Sequence, residues 1–465
     1  MSASHPQPAP SAAPGARTYA QALAAIESRG RFGIRLGLGR VKALLRALGD
    51  PELSVRGALV AGTNGKGSVI ALAGSALRAA GYRVGETPKP HLVTYRERIV
   101  VDGRPIAAAE FVRLVDEAIA AADRIARRLG PPTEFELLTA VMFRHFAEAG
   151  LDVALVEVGL GGRLDATNAW DGGVAVLTNV GLDHMDRLGP TINAIAREKA
   201  AIVKRGDTAV TGADGEALAI LRRRCLRLGV PLAVMPPPPV LGWTRDVLTV
   251  DLPGLGATDL GLRGRHQAAN AAVADGLLDA LEAAGIATVP AVARRRGYAA
   301  ARWPGRLELV TVPTPRGERD VLLDGAHNPD GAAALALALD DLRPHLAGGG
   351  GTPTSPLTLV WASMADKDVA GVIAAVARAR SLAGATVICT ALDLPRALPA
   401  PDLAAAWRAG LPGGDVRVVP DADEALDLAL REGRGPVVVA GSLYLVGAAR
   451  ARLVDDPALR DPAGA

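Results

Sequence analysis

Along the chain, short runs of β-branched and aliphatic residues alternate with longer segments whose apolar positions recur at helical spacing. "GALVAG" (57–62) reads as a strand entering a glycine-rich turn, and "SVIALAGSALRAAG" (68–81) as the helix leaving it, stopped at Gly81. "LDVALVEVG" (151–159) and "GGVAVLTNVG" (172–181) are near-continuous apolar runs, as strands covered on both faces require. Such strands separated by helices predict a parallel α/β sheet. A second set follows "RWPGR" (302–306): "LELVTV", "RDVLLDG", "LTLVWAS", "ATVICT", "VRVVP" and "PVVVAGS", with helical stretches such as "DGAAALALALDDL" between them. The pattern predicts a disordered tail over 1–17, a first α/β domain over 18–303, and a smaller, doubly wound, Rossmann-like domain over 304–465. "AGGGGTPTSP" (347–356) reads as a flexible loop within the latter.

Composition narrows the picture. The 465 residues are 49% hydrophobic and 22% charged, an ordinary globular balance with enough apolar material for a large core. The two cysteines, Cys225 and Cys389, are far apart and lack CxxC spacing, which fits a reducing compartment and excludes a cysteine metal cluster. Net charge is +3 and aromatic content 3%. The basic runs Arg222–Arg224 and Arg294–Arg296 are short and have no aromatic interleaving, so they read as solvated helix faces rather than nucleic-acid contacts. The N-terminus has neither the charged start nor the apolar core of a signal peptide. No apolar run reaches the ~18 residues of a membrane span. A cytoplasmic protein without membrane or nucleic-acid partners is expected. Of the 52 Lys and Arg residues only six are lysine: Lys42, Lys66, Lys89, Lys199, Lys204 and Lys367. Against that arginine-rich background, a lysine points to a task needing a compact, titratable ammonium.

The candidate chemistry starts at "VAGTNGKGSVIALAG" (60–74). A strict phosphate-binding loop, G-x-x-x-x-G-K-[ST], would place glycine at Val60 and a hydroxyl at Gly67; here the hydroxyl comes one residue later, at Ser68. Strand, glycine turn and helix still converge backbone amides and a helix N-terminus on one point, which attracts phosphate. The first domain is therefore expected to be P-loop-type, with Thr63, Asn64, Gly65, Lys66, Gly67 and Ser68 as its nucleotide site. Glu157 ends a buried strand at the same sheet edge, where α/β proteins bind ligands. Mg²⁺ favours a few carboxylates completed by water and phosphate oxygens. Gly159, Gly161 and Gly162 then imply close backbone approach. Asp183, His184 and Asp186 follow another strand end in "TNVGLDHMDRLG". Glu198-Lys199, on its residues alone, reads as an exposed helical ion pair. Asn270, Arg306, Asp324, His327 and Asn328 sit at loop positions suited to ribose, base and phosphate, and Pro329 opens a helix.

GTNGKGS, EVGLGGRLDATN, GLDH, REKA, GRHQ–N, WPGR, LDGAHNPDG and GSLYLVG occur in that order. The set resembles the folylpolyglutamate synthase/dihydrofolate synthase family of the Mur-ligase group, and "RFGIRLGLGRV" (31–41) is similar to that family's N-terminal segment. The resemblance implies an ATP-dependent amide ligase. A carboxylate of a tetrahydrofolyl-polyglutamate, or of dihydropteroate, takes the γ-phosphoryl of ATP. L-Glutamate's amine attacks the acyl phosphate, and ADP and phosphate leave. It also implies Thr63 to Lys66 on the ATP phosphates, and Asn270, Arg306 and Asp324 elsewhere on ATP. Two Mg²⁺ would be held by Ser68, Glu157, His184 and a Lys199 carbamylated by CO₂. Pteroate would lie near Leu36, Gly37, Thr133, Glu134, Phe135, Glu136, Leu164, Asp165 and Ala166. His327 would sit near the incoming glutamate or the phosphates, giving a catalytic set of Lys66, His184, Lys199, Asp324 and His327 in a monomer.

Two residues depart from the family's pattern. "TPKPHL" places Lys89 where the family reads T-S-P-H-L with serine on Mg²⁺, so Lys89 is expected to touch a phosphate oxygen in place of metal charge. Arg35 stands where some dual-function members carry an acid, which weighs against dihydropteroate as substrate. Two alternatives remain. A Mur cell-wall peptide ligase would need a nucleotide-sugar domain before the loop, and little chain precedes Gly62. A non-catalytic nucleotide switch would not need Glu157, His184, Lys199 and a second α/β domain together.

Overall fold

The computed structural model describes residues 17–30, 37–348, 350 and 355–462. Residues 1–16 of the tail expected over 1–17, Arg35, Leu36 and most of the glycine-rich loop after 347 lie outside them. Among the described residues the chain forms three sheets. The first contains β1 (Gly57–Ala61), β2 (Val84–Thr87), β3 (Val100–Val101), β4 (Arg104–Pro105), β5 (Val153–Glu157), β6 (Gly173–Leu177), β7 (Thr208–Thr211) and β8 (Leu232–Val234). Its order is β4-β3-β2-β5-β1-β6-β7-β8, parallel from β2 to β8. The central strands β1 and β5 are buried at every position, which explains their unbroken apolar runs. Alternation still sorts their side chains: Leu59 and Ala61 enter one core, Ala58 and Val60 the other. The second core holds the helix Lys66–Ala79 beneath Gln267–Ala283.

A small antiparallel sheet of β9 (Val240–Trp243), β10 (Leu248–Leu252) and β11 (Gly256–Leu260) follows, absent from the sequence expectations. The last sheet comprises β12 (Glu308–Thr314), β13 (Gly317–Leu323), β14 (Thr358–Trp361), β15 (Thr386–Cys389), β16 (Asp415–Val418) and β17 (Val437–Ala440). Its order is β12-β13-β17-β14-β15-β16, with helices on both faces. One detail departs from the wholly wound layer: β12 runs antiparallel to β13 as a hairpin and leaves an edge strand half exposed.

The second basic run also needs correction. Arg295 and Arg296 are exposed, but Arg294 is buried against the helix Gln267–Ala283, donating to Asp275 (3.0 Å) and pairing with Asp279 (2.7 Å). Its guanidinium holds two helices together, because burying a charge requires partners. Among the described residues no helix is long and apolar enough to cross a membrane.

Candidate active site between the two large sheets

The carboxyl ends of β1, β5 and β6 and the segment after β13 open onto one cavity of about 730 Å³. Gly65, at φ 82°, ends the turn after β1 and caps the helix Lys66–Ala79; no side chain caps that helix, so its first amides remain for a ligand. The turn is pinned from β6. Thr178 Oγ1 donates to the Asn64 carbonyl (2.6 Å), and Asn64 N–H donates to Asn179 Oδ1 (2.9 Å). Gly181 N–H donates to Thr63 Oγ1 (2.9 Å). Lys66 Nζ donates to the Gly62 and Thr63 carbonyls (3.1 Å each) and lies 3.9 Å from Glu157 Oε1. Thr63 to Ser68 all line the cavity.

Glu157 is 4% exposed. Burial raises its carboxyl above the usual range, against the pull of Lys66 and Lys89. Lys89 meets it twice: backbone N–H donates to Oε2 (3.1 Å) and Nζ to the Glu157 carbonyl (2.5 Å). The same ammonium lies 4.5 Å from the centroid of the Phe135 ring. Burial pulls its pKa down to about 8, with Asp165 and Glu157 opposing.

Lys199 corrects the exposed-pair expectation. It is 6% exposed, lines the cavity and donates to the Gly62 carbonyl (2.8 Å), while Glu198 pairs with Arg163. The helix Ile192–Ala200 turns these neighbours to different surroundings, as adjacent helical residues must be. Burial lowers Lys199 to about 7, and the Lys66 charge adds to the shift. His184 adopts a left-handed φ of 50° and lines the rim, its side chain 47% exposed; burial holds its pKa below the usual range, against the pull of Asp183. Asp186 instead pairs with Arg187 at the surface.

The far wall comes from beyond residue 260. Asn270 is aligned by Gln267 (2.8 Å) and packs on the Gly65 turn. Asp324 accepts from the N–H groups of Leu307 and Ala326 (2.9 Å each), which fixes the backbone around Arg306. His327 Nδ1–H donates to the Gly325 carbonyl (2.7 Å); burial lowers the ring to about 4, so it is neutral at pH 7. Two further residues join the groups. Asn328 caps the helix Pro329–Leu342 and donates across the cleft to Asn64 Oδ1 (3.3 Å) and Asp183 Oδ2 (3.4 Å). Lys367 Nζ stands 3.9 Å from Asp183 Oδ1. Scarcity of lysine was the one sequence signal for Lys367; Asn328 was read as a loop residue after a strand end, suited to ribose, base or phosphate.

The expected pteroate residues divide. Phe135 lines the cavity. Gly37, Thr133, Glu134, Glu136, Leu164, Asp165 and Ala166 are not among its lining residues, and Leu36 lies outside the described residues. Local structure occupies their polar groups. Thr133 and Glu136 form a capping box, and Glu136 also pairs with Arg40 (3.1 Å). Tyr95 OH donates to Glu134 (3.1 Å). Asp165 accepts from the N–H groups of Gly159 (3.0 Å) and Leu160 (2.9 Å) and from Thr167. These residues shape the wall behind Phe135 and the Gly159–Gly161 backbone.

The donor chemistry fits Mg²⁺: a buried carboxylate at Glu157 and the hydroxyl of Ser68 are hard oxygen donors beside a phosphate-binding loop. Among the described residues no three His, Cys, Asp or Glu side chains converge on a metal position. Such an ion would complete its shell from phosphate and water.

A glycine turn with an uncapped helix N-terminus, facing a second α/β unit across a cleft, is the architecture of an ATP-dependent ligase. Residues 60–234 match the Mur ligase middle domain and residues 305–443 the Mur ligase glutamate ligase domain. The chain belongs to the dihydrofolate synthase/folylpolyglutamate synthase family. It is 36% identical over 450 residues to the dihydrofolate synthase/folylpolyglutamate synthase of Bacillus subtilis, covering 94% of this chain and 99% of that one. The folylpolyglutamate synthase of Mycobacterium tuberculosis, solved with ADP and AMPPCP, superposes with a TM-score of 0.81 at 34% identity, covering 94% of this chain and all of that one (100%). Escherichia coli FolC in complex with DHPP and ADP gives a TM-score of 0.76 at 30% identity, covering 94% and 98% of the two chains.

Proposed function

We propose that the protein joins L-glutamate to the carboxylate of a folate, with tetrahydrofolyl-polyglutamates and dihydropteroate as the candidate acceptors. The observation that carries this is the cleft itself: an uncapped helix N-terminus with Lys66 faces Asp324, His327 and Asn328 across one cavity. In this reading the units divide at 18–303 and 304–465. The amides after Gly65 and Lys66 hold the ATP phosphates, while Asn270, Arg306 and Asp324 bind the rest of the nucleotide. Phe135 and the Gly159–Gly161 backbone form the folate side. Arg306 and Lys367 supply positive charge toward the incoming glutamate and the departing phosphate. His327, neutral and held through Nδ1, leaves Nε2 as a hydrogen-bond acceptor for the glutamate amine.

Mg²⁺ on Ser68, Glu157 and His184 would screen the approach of one anion to another. Lys199, as a carbamate, would add an oxygen donor beside Gly62. We also read the protein as a cytoplasmic monomer that binds neither nucleic acid nor membrane.

The deciding assay supplies ATP with glutamate and either dihydropteroate or a tetrahydrofolate, scoring products by mass. One added glutamate and stoichiometric phosphate are expected. ATP binding without glutamate-dependent phosphate release would identify a nucleotide module instead.

A further inference from the structure

The segment after the helix Leu443–Leu453 leaves the six-stranded sheet's unit and returns to the first. There it meets Arg96, in the short turn Tyr95–Arg98. Arg96 is 6% exposed. Its Nε donates to Asp461 Oδ1 (3.1 Å) and Nη2 to the Ala458 (3.0 Å) and Arg460 (2.8 Å) carbonyls. Nη1 takes the Ile106 carbonyl (3.3 Å). Thr94 Oγ1 donates to the same Asp461 oxygen (2.7 Å). A buried guanidinium therefore finds its carboxylate about 365 positions away in the chain.

The root of this segment is tied as well. Arg450, 6% exposed, pairs with Glu308 (3.0 Å) and approaches Asp456 (3.9 Å). Glu308 in turn accepts from the Gly305 N–H (2.8 Å), in the linker that carries Arg306 into the cavity. Between root and tip lies Leu92. A side chain at Gly447 would meet the Leu92 carbonyl 2.0 Å away, so the turn and the helix Leu443–Leu453 are in direct backbone contact. The flanks of that turn, Lys89, Pro90 and Arg98, form part of the cavity wall next to Phe135.

We propose that Asp455–Asp461 is a strap that sets this wall when the two units are closed, and that Asp461 is a positioning residue acting through Arg96 on Arg98, which ends the same turn and lines the cavity. The device serves the folate half of the cleft, so its kinetic consequence rests on the ligase reading above; its structural consequence does not. Buried charge makes it directional: opening the units exposes Arg96, and closing them requires Asp461 to be in place.

The test compares full-length protein with Asp461→Ala, Asp461→Glu and a chain ended after Val454. Hydrogen exchange at Leu92, Val93 and Thr94, whose amides are held by Glu97, reports the turn without any assay of activity. Asp461→Ala and the shortened chain should exchange there at least about tenfold faster, with the Gly62–Ser68 loop unchanged. The folate KM should rise about tenfold while the ATP KM holds, and Asp461→Glu should restore both readouts. Faster exchange in an enzyme that ligates nothing would keep the strap and discard the folate reading. Unchanged exchange in Asp461→Ala, or equal losses for ATP and folate, would overturn the strap.

Discussion

Lys66, Lys89 and Lys199, half of the chain's six lysines, bring three ammonium groups to the end of β5 and the Gly62 turn. Each bonds a backbone carbonyl through Nζ, as a compact ammonium donor can. Lys199 should take up one CO₂ in bicarbonate, since carbamates form on neutral amines. With its pKa lowered to about 7, uptake should grow from pH 6 to pH 8. Intact mass should show the addition, and Lys199→Arg should abolish it; an unmodified lysine with full activity in Lys199→Ala would refute the assignment. Lys89→Ser should weaken ATP binding about tenfold and raise the Mg²⁺ needed for half-maximal rate. If ATP titration and Mg²⁺ dependence stay as in the parent protein, Lys89 has no phosphate role. At this scale the sequence exposed the lysines by scarcity but misjudged Lys199, because the side facing the cleft depends on how the helix Ile192–Ala200 is rotated.

The turn between β1 and its helix shows what an element requires. Gly65 holds φ 82°, and a Cβ there would lie 2.2 Å from Asn270 Oδ1. Gly65→Ala is expected to cost roughly 1 kcal/mol or more of stability, by strain at positive φ. It should cost at least tenfold in ATP affinity, by displacing Asn270; calorimetric titration and thermal melting would separate the two. The strands around this turn were legible because burial on both faces demands unbroken apolar runs. The direction of β12 was not, since "LELVTV" reads the same in either orientation and only the hairpin through Gly317 reverses it. Arg294 was misread for a related reason: Asp275 and Asp279, its partners, lie on a different helix.

For the molecule as a whole, the cavity belongs to neither unit alone. Asn328 reaches Asn64, and Lys367 reaches Asp183, across the cleft. ATP with Mg²⁺ should therefore stabilise both units together, by about 2.7 kcal/mol at a hundredfold excess over its Kd. A single melting transition should move upward, and Lys66→Ala should remove the shift. Two transitions, of which only one responds, would mean that the nucleotide is held by the first unit alone. The sequence by itself determined the central strands of the first sheet, the strand, turn and helix over 57–79, and the family, because each is carried by residues adjacent in the chain. Tertiary structure decided which polar groups are free for a ligand. It consumed Thr133 and Asp165 and one oxygen of Glu136 in hydrogen bonds, buried Lys199 and Arg294, and tied Asp461 to Arg96. A side chain's availability depends on every group that packs against it, and most of those groups come from elsewhere in the chain.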